Sequence, residues 1–228
     1  MEMINGGGTL AAPNSFLYGI PLRARIDVID KSMTHIGPDL GDSERKWWNG
    51  AMNDTGVIYC PRSCSERGIL KIDTNTDTVT ELNANLLPEQ GASMWDSCAA
   101  ALDGCIDFMP QWARRIMKLD LNNIDAISIV GDDLGGEEHK YTGTVVGIDG
   151  CVYRLPDWSY RIVKYDPING SISFVGKVYD YFDCIGIGAL RRDGCIYVIT
   201  RTARVLKIHT TNNIHLLPSK CSQKDYFY

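Results

Sequence analysis

Residues 149–155 read DGCVYRL. After the Asp-Gly pair, Cys151, Tyr153 and Leu155 fall on one side of an alternating strand and Val152 falls on the other. The pattern returns at 193–199, DGCIYVI, where Cys195, Tyr197 and Ile199 oppose Ile196 and Val198. A sheet with one wet face alternates apolar with polar residues, so a strand apolar on both sides belongs to a sheet covered on both sides. No long stretch places apolar residues at helical spacing, and helices are predicted to be scarce.

These strands belong to a repeat. Aligned on the second strand, five copies appear, with anchors at Tyr18, Tyr59, Asp107, Tyr153 and Tyr197, spaced by 41, 48, 46 and 44 residues. Each copy reads as four short strands. The first is small and apolar, as in Cys98-Ala99-Ala100-Ala101, and ends in a turn that is Asp-Gly in three copies and Thr-Gly in a fourth, a hairpin signal. A second strand of the CVYRL type follows and stops at a proline in four copies. The third resembles RIVKYD, and a second turn such as PING at 167–170 leads to the fourth, SISFVG at 171–176.

Four strands per unit at a period of about 40–50 residues predict an all-β fold, a β-propeller of five four-stranded blades. The small first strand suits the crowded position nearest a propeller axis. An open solenoid is the rival, but it needs polar caps and the sequence shows none. Residues 1–217 are expected to form one domain, with blades at about 1–40, 41–88, 89–136, 137–178 and 179–217 and a tail at 218–228. The five copies either close as a ring or form part of a six- or seven-bladed one.

The repeat resembles propeller units with a W-x-G…D-G-x-I-Y-x-x-P…I-x-x-I-D-P signature, which recur in uncharacterised proteins of single-celled eukaryotes. It is similar in outline to kelch and YVTN-type repeats over roughly residues 6–218. It departs from kelch in having no Gly-Gly doublet after the second strand. The resemblance implies a propeller and carries over no ligand, because fold does not dictate function.

The chain has 228 residues, 44% hydrophobic and 22% charged, with a formal net charge of −5. That balance argues against nonspecific binding to nucleic acid or anionic membranes. No apolar run approaches the ~20 residues of a membrane span. The start, MEMINGGG, lacks a basic segment followed by an apolar one, so no signal peptide is read and an intracellular, cytoplasmic location is expected. Of eight cysteines, Cys105, Cys151 and Cys195 each follow an Asp-Gly pair. Equivalent positions in successive blades do not meet within the ~7 Å that a disulfide requires. They read as small buried apolar residues in a reducing compartment. Cys60 and Cys64 in CPRSC leave open a small-loop disulfide or half a zinc site.

The loops after the second strands supply the candidate binding residues. QWAR and DWSYR contain Trp112, Arg114, Trp158, Tyr160 and Arg161. Trp, Tyr and Arg are the residues of protein-binding hot spots. The competing reading packs these aromatics between blades. Arg25, Arg115, Arg161 and Arg204 share a position five residues before an Asp or His, where pairing with an acid or carbonyl is the expected role. Trp47, Trp95 and Tyr141 are read as packing between blades. Departures from the repeat give three further candidates for chemistry. Asp107 stands where four copies have tyrosine and, if buried, needs a partner such as Arg114 or Arg115. His209 replaces the repeated aspartate, and Asp96 follows Trp95 where other copies have Asn49, Thr142 or Gly186.

Four scattered histidines and the absence of C-x-x-C, G-x-S-x-G, P-loop or dinucleotide motifs assign no metal, no cofactor and no catalytic residue. The favoured function is a noncatalytic scaffold for a protein or peptide partner, with no nucleic acid and no membrane. The alternatives are a propeller enzyme (glycoside hydrolase, lactonase or lyase) or a lectin-like module. A glycosidase requires a convergent carboxylate pair, and the first-strand tops offer only Asn49 and Asp96. The sequence assigns no oligomeric state.

Overall fold

The computed structural model describes residues 9–12, 14, 16–19, 24–27, 30–40, 47–62, 68–82, 94–123, 126–136, 141–157, 161–178, 188–200, 204–210 and 214–217. They form five four-stranded antiparallel sheets, and among the described residues there is no helix. The first sheet contains β1 (Thr9–Ala11), β2 (Phe16–Gly19), β3 (Ala24–Asp27) and β4 (Met33–His35). The second contains β5 (Ala51–Met52), β6 (Val57–Cys60), β7 (Leu70–Asp73) and β8 (Thr78–Glu81). In the third are β9 (Trp95–Ala100), β10 (Cys105–Pro110), β11 (Ile116–Asp120) and β12 (Ile127–Val130). The fourth holds β13 (Tyr141–Val146), β14 (Val152–Pro156), β15 (Ile162–Tyr165) and β16 (Ile172–Val175). The fifth holds β17 (Ala189–Leu190), β18 (Cys195–Ile199), β19 (Val205–His209) and β20 (Ile214–Leu217). Within every sheet, strands adjacent in the chain are adjacent in space. By contacts the chain divides into two compact units, Met1–Glu137 with three sheets and Glu138–Tyr228 with two.

The turn before each second strand follows from its residues. Gly56, Gly104, Gly150 and Gly194 have φ of 80°, 80°, 75° and 77°, a left-handed conformation that costs glycine little. Their amides close the turn onto carbonyls of Asn53, Ala101, Gly147 and Arg191 at 3.0–3.2 Å. In the Asp-Gly copies, the Oδ1 atoms of Asp103, Asp149 and Asp193 accept from the amides of Cys105, Cys151 and Cys195 at 3.2, 3.3 and 3.1 Å. The aspartate thus tethers the start of its own strand.

Within each unit, successive sheets pack by one rule. Each second strand turns its anchor residue toward one side of the sheet, here called the trailing side, and the alternate residues toward the leading side. In the first unit, Tyr18 packs among Ile58, Cys60, Leu70 and Ile72 of the next sheet. Ala51, Tyr59 and Ile69 pack likewise among Ile106, Phe108, Met117 and Leu119. In the second unit, Val145, Tyr153 and Leu155 meet Ile196, Val198, Leu206 and Ile208. The trailing side of one sheet is therefore the floor for the leading side of the next. Each large aliphatic side chain enclosed this way contributes about 1.5–3 kcal/mol.

Trp47 and Trp95 are buried, as their repeat position predicted, and their indole N–H groups donate to Gly68 O at 3.0 Å and Arg115 O at 3.1 Å. Cys60, Cys98, Cys105, Cys151 and Cys195 are all free thiols. Cys60 therefore makes no disulfide. Among the three Asp-Gly cysteines, Cys151 and Cys195 are buried and Cys105 is half-buried, a departure from the expected burial. Cys64 lies outside the described residues.

Candidate functional site

Strand register shows what stands opposite each anchor. The pairs are Tyr18–Arg25, Tyr59–Lys71, Asp107–Lys118, Tyr153–Lys164 and Tyr197–Lys207. This corrects one alignment. Arg25 corresponds to the repeated lysine and not to Arg115, Arg161 and Arg204, because the third strand of the first sheet ends earlier relative to the following aspartate.

In the fourth sheet these residues form a compact polar group. Tyr153 Oη lies 2.9 Å from Asp149 Oδ2 and 3.0 Å from Thr210 O, two acceptors for one proton. Lys164 Nζ sits 2.8 Å from Asp149 Oδ2 and 5.7 Å from the centre of the Tyr153 ring. The hydrogen bond to Asp149 raises the Lys164 pKa, while burial followed by the Asp149 hydrogen bond raises that of Tyr153. The fifth sheet repeats the set, with Tyr197 Oη 3.0 Å from Asp193 Oδ2 and Lys207 Nζ 5.5 Å from the Tyr197 ring. The carbonyl under Tyr153 comes from the next sheet. Thr210 is held there by its own hydroxyl, which donates to Gly194 O at 2.8 Å. Thr74 does the same to Gly56 O at 2.7 Å and presents its carbonyl 3.3 Å from Tyr18 Oη. Sequence reading missed this joint. Its signals were the lysine that recurs in LKID, MKLD, VKYD and LKIH, and the threonine after two of those segments.

The third sheet keeps the lysine and the turn aspartate and loses the phenol. Asp107 is fully enclosed, and its carboxylate oxygens make no hydrogen bond. Its partner is Lys118, with Nζ 3.6 Å from Asp107 Oδ1. Neither Arg114 nor Arg115 fills that role. Both are exposed, and β10 pairs Asp107 directly with Lys118. Lys118 also pairs with Asp103. Burial raises the Asp107 pKa to about 7, with Lys118 opposing the shift and Asp103 adding to it. The half-buried Cys105 thiol beside this group is pushed up to about 11, by burial first and by Asp103 second.

The other departures have structural settings as well. His209 Nδ1 lies 3.4 Å from Cys195 Sγ, across the β18–β19 pair. Asp96 is half-buried at a bulge, where the register passes from Met109–Ser97 to Pro110–Trp95 and leaves it unopposed.

The candidate loops belong to different units and are described one at a time. In the first unit the amides of Gln111, Trp112 and Ala113 converge on Met94 O at 2.9, 3.3 and 3.0 Å. Trp112 is half-buried on this turn. Arg114 is exposed but engaged. Its Nε and Nη2 donate to Asp133 Oδ2 at 2.8 and 2.6 Å, and its carbonyl accepts from the Leu134 amide at 2.8 Å. The Arg114 hydrogen bond holds the Asp133 carboxyl below its usual range. In the second unit Arg161 is exposed, with Cζ 5.2 Å from the centre of the Phe174 ring on β16. Phe174 was not singled out by sequence. Trp158 and Tyr160 lie outside the described residues. Among the described residues, no three His, Cys, Asp or Glu side chains are placed to hold a metal ion.

No family model matches the sequence, and no curated protein is recognisably similar to it. Solved structures are. Virginiamycin B lyase from Staphylococcus aureus superposes with a TM-score of 0.74 at 14% identity, covering 92% of this chain and 69% of the lyase. An auxiliary nutrient binding protein from Bacteroides ovatus gives 0.65 at 15% identity, covering 93% of this chain and 57% of that protein. An extracellular domain assigned to a one-component system of Bacteroides thetaiotaomicron gives 0.68 at 11% identity, covering 93% of this chain and 30% of the other. At such identities the likeness shows the fold alone. The repeated meander and the trailing-to-leading packing are those of a β-propeller built from four-stranded blades.

Proposed function

We propose that the protein is a noncatalytic binding module that takes a protein or peptide partner on the loops following its second strands. The observation that carries this reading is the exposed pair of Arg161 and Phe174, a guanidinium 5.2 Å from the centre of an aromatic ring that is itself 49% exposed. An arginine stacked over an aromatic ring puts a flat guanidinium and an apolar ring face on one surface, residue types enriched in binding hot spots. Trp158 and Tyr160 stand three residues and one residue before Arg161 in the sequence. On the first unit, Trp112 and Arg114 lie on a second loop, where Asp133 braces Arg114. The nutrient binding protein and the extracellular domain with the same fold support a binding role, whereas the lyase supports the enzymatic alternative. The free thiols support action in a reducing compartment.

The test is a photo-crosslinking residue placed at Phe174 in the full chain, with the adducts identified and the partner then purified. Arg161→Ala and Trp158→Ala should each weaken binding of that partner by at least about tenfold, with the melting temperature unchanged. Binding that survives both substitutions would overturn this site. Turnover of a substrate by the purified protein would overturn the noncatalytic reading.

A further inference from the structure

The third, fourth and fifth sheets each carry a cysteine behind the Asp-Gly turn, Cys105, Cys151 and Cys195. The third strand of each sheet sets one repeated position beside that thiol. In β10–β11 the residue there is Asp120, paired in register with Cys105. In the fourth sheet it is Asp166, whose charge acts on Cys151. In β18–β19 it is His209, paired in register with Cys195, and its Nδ1 lies 3.4 Å from Cys195 Sγ. The surrounding charges differ in the same sense. Cys105 feels Asp103, Asp107 and Asp120 against Lys118, and Cys151 feels Asp149 and Asp166 against Lys164. Burial first, and the turn aspartate second, raise the pKa of both thiols. Beside Cys195 the turn aspartate is Asp193, and cations outnumber it. Arg191 Nη1 lies 3.2 Å and Lys207 Nζ 4.0 Å from Asp193 Oδ2, and Arg192 stands on the same turn.

We propose that Cys195 is a site of reversible thiolation by small anionic disulfides, with His209 as the base that takes its proton. In the tautomer protonated at Nε2, His209 Nδ1 accepts from the thiol and receives its proton as sulfur attacks. A bond forms between Cys195 Sγ and one sulfur of the reagent, and the reagent's own S–S bond breaks. The departing half leaves as a thiolate and takes the proton back from His209. Cys195 is thereby oxidised to a mixed disulfide and half of the reagent is reduced to a thiol, so no further oxidant enters. Arg191 and Arg192, both exposed, favour a reagent that carries carboxylates. Cys195 itself is 2% exposed, and the reagent reaches it by local opening. Little has to move, because the turn at Arg191–Asp193 is exposed. Among the described residues, β17 pairs with β18 only at Ala189–Tyr197 and Leu190–Ile196. Exposure alone would rank the half-buried Cys105 first, whereas the imidazole ranks Cys195 first.

The test is to incubate the full native chain with oxidised glutathione, quench with acid and follow each cysteine by mass spectrometry. The Cys195 adduct should form at least about tenfold faster than those at Cys105 and Cys151, and added thiol should remove it. His209→Asp installs the residue of the other two sheets, and should slow Cys195 at least about tenfold with the melting temperature unchanged. Asp166→His should in turn speed Cys151. In urea the wild-type rates at the three sites should converge, because the imidazole is no longer held at the sulfur. Cys105 reacting first would leave exposure in control and overturn the proposal. So would a lead of Cys195 that survives His209→Asp or persists in urea. If His209→Asp fails to fold, Asp166→His decides, and an unchanged Cys151 rate overturns the role of the imidazole. Cystamine, a cationic disulfide, should modify Cys195 more slowly than oxidised glutathione, and equal rates would overturn the choice of an anionic reagent.

Discussion

Lys118 Nζ lies 3.6 Å from Asp107 Oδ1, at the position where the fourth and fifth sheets place a lysine against a tyrosine ring. The third sheet has kept the cation of the joint and exchanged its neutral partner for an acid. That acid is enclosed and hydrogen-bonded to nothing, so its charged form is costly despite the lysine.

Burial, opposed by Lys118, raises the Asp107 pKa to about 7, against about 4 in an unfolded chain. The folded protein therefore holds this proton more tightly than the unfolded one. Asp107 contributes its full stability below about pH 4 and loses it as pH rises through about 7. Asp107→Asn should remove this fall, leaving the variant on the order of 2–4 kcal/mol more stable than the wild type above about pH 8, with the gap closing toward about pH 4. Urea unfolding across that range measures it. A wild type whose stability rises between about pH 4 and pH 7 would show that the carboxylate is stabilised in place.

Tyr153 and Tyr197 should answer differently to the same substitution. Tyr153→Phe removes a hydroxyl shared between Asp149 and Thr210 O in a buried joint, and should cost about 1–2 kcal/mol. The Tyr197 hydroxyl contacts Asp193 at a half-buried site, and Tyr197→Phe should cost less than about 0.5 kcal/mol. Equal losses would mean that the Thr210 carbonyl adds nothing.

Close approach makes a third contrast. A Cβ at Gly147 would lie 2.8 Å from both Tyr153 Cε2 and Thr210 Cγ2 and 2.5 Å from Asp149 Oδ1, inside the joint. Gly147→Ala should cost about 1–3 kcal/mol by overpacking. At Gly136 the added carbon meets Arg114 Nη1 at 2.9 Å, the far end of an exposed side chain. Gly136→Ala should therefore fall within about 0.5 kcal/mol of wild type. Thermal unfolding of the two variants side by side decides between them.

The repeat was legible because strand alternation and turn chemistry are local. Cys151 and Tyr153 on one side with Val152 on the other, behind an Asp-Gly turn, specify a doubly covered strand and a hairpin with few alternatives. The repetition of that segment inside one chain then specifies the four-stranded unit. The partner of Asp107 was not legible, since Arg114, Arg115 and Lys118 all follow within a few residues and cross-strand register alone selects the lysine. Register also moved Arg25 from the expected ring of arginines to a place opposite Tyr18. Trp112 illustrates the same limit for the loops. Its side chain reads as a hot spot, but three amides gathered on Met94 O set it half into the protein. Sequence by itself determined the strands, their turns and their count per repeat, because those depend on contacts a few residues apart. Tertiary structure alone decided which charges meet and which carbonyls receive the buried phenols, because packing between sheets joins residues such as Tyr153 and Thr210, 57 positions apart.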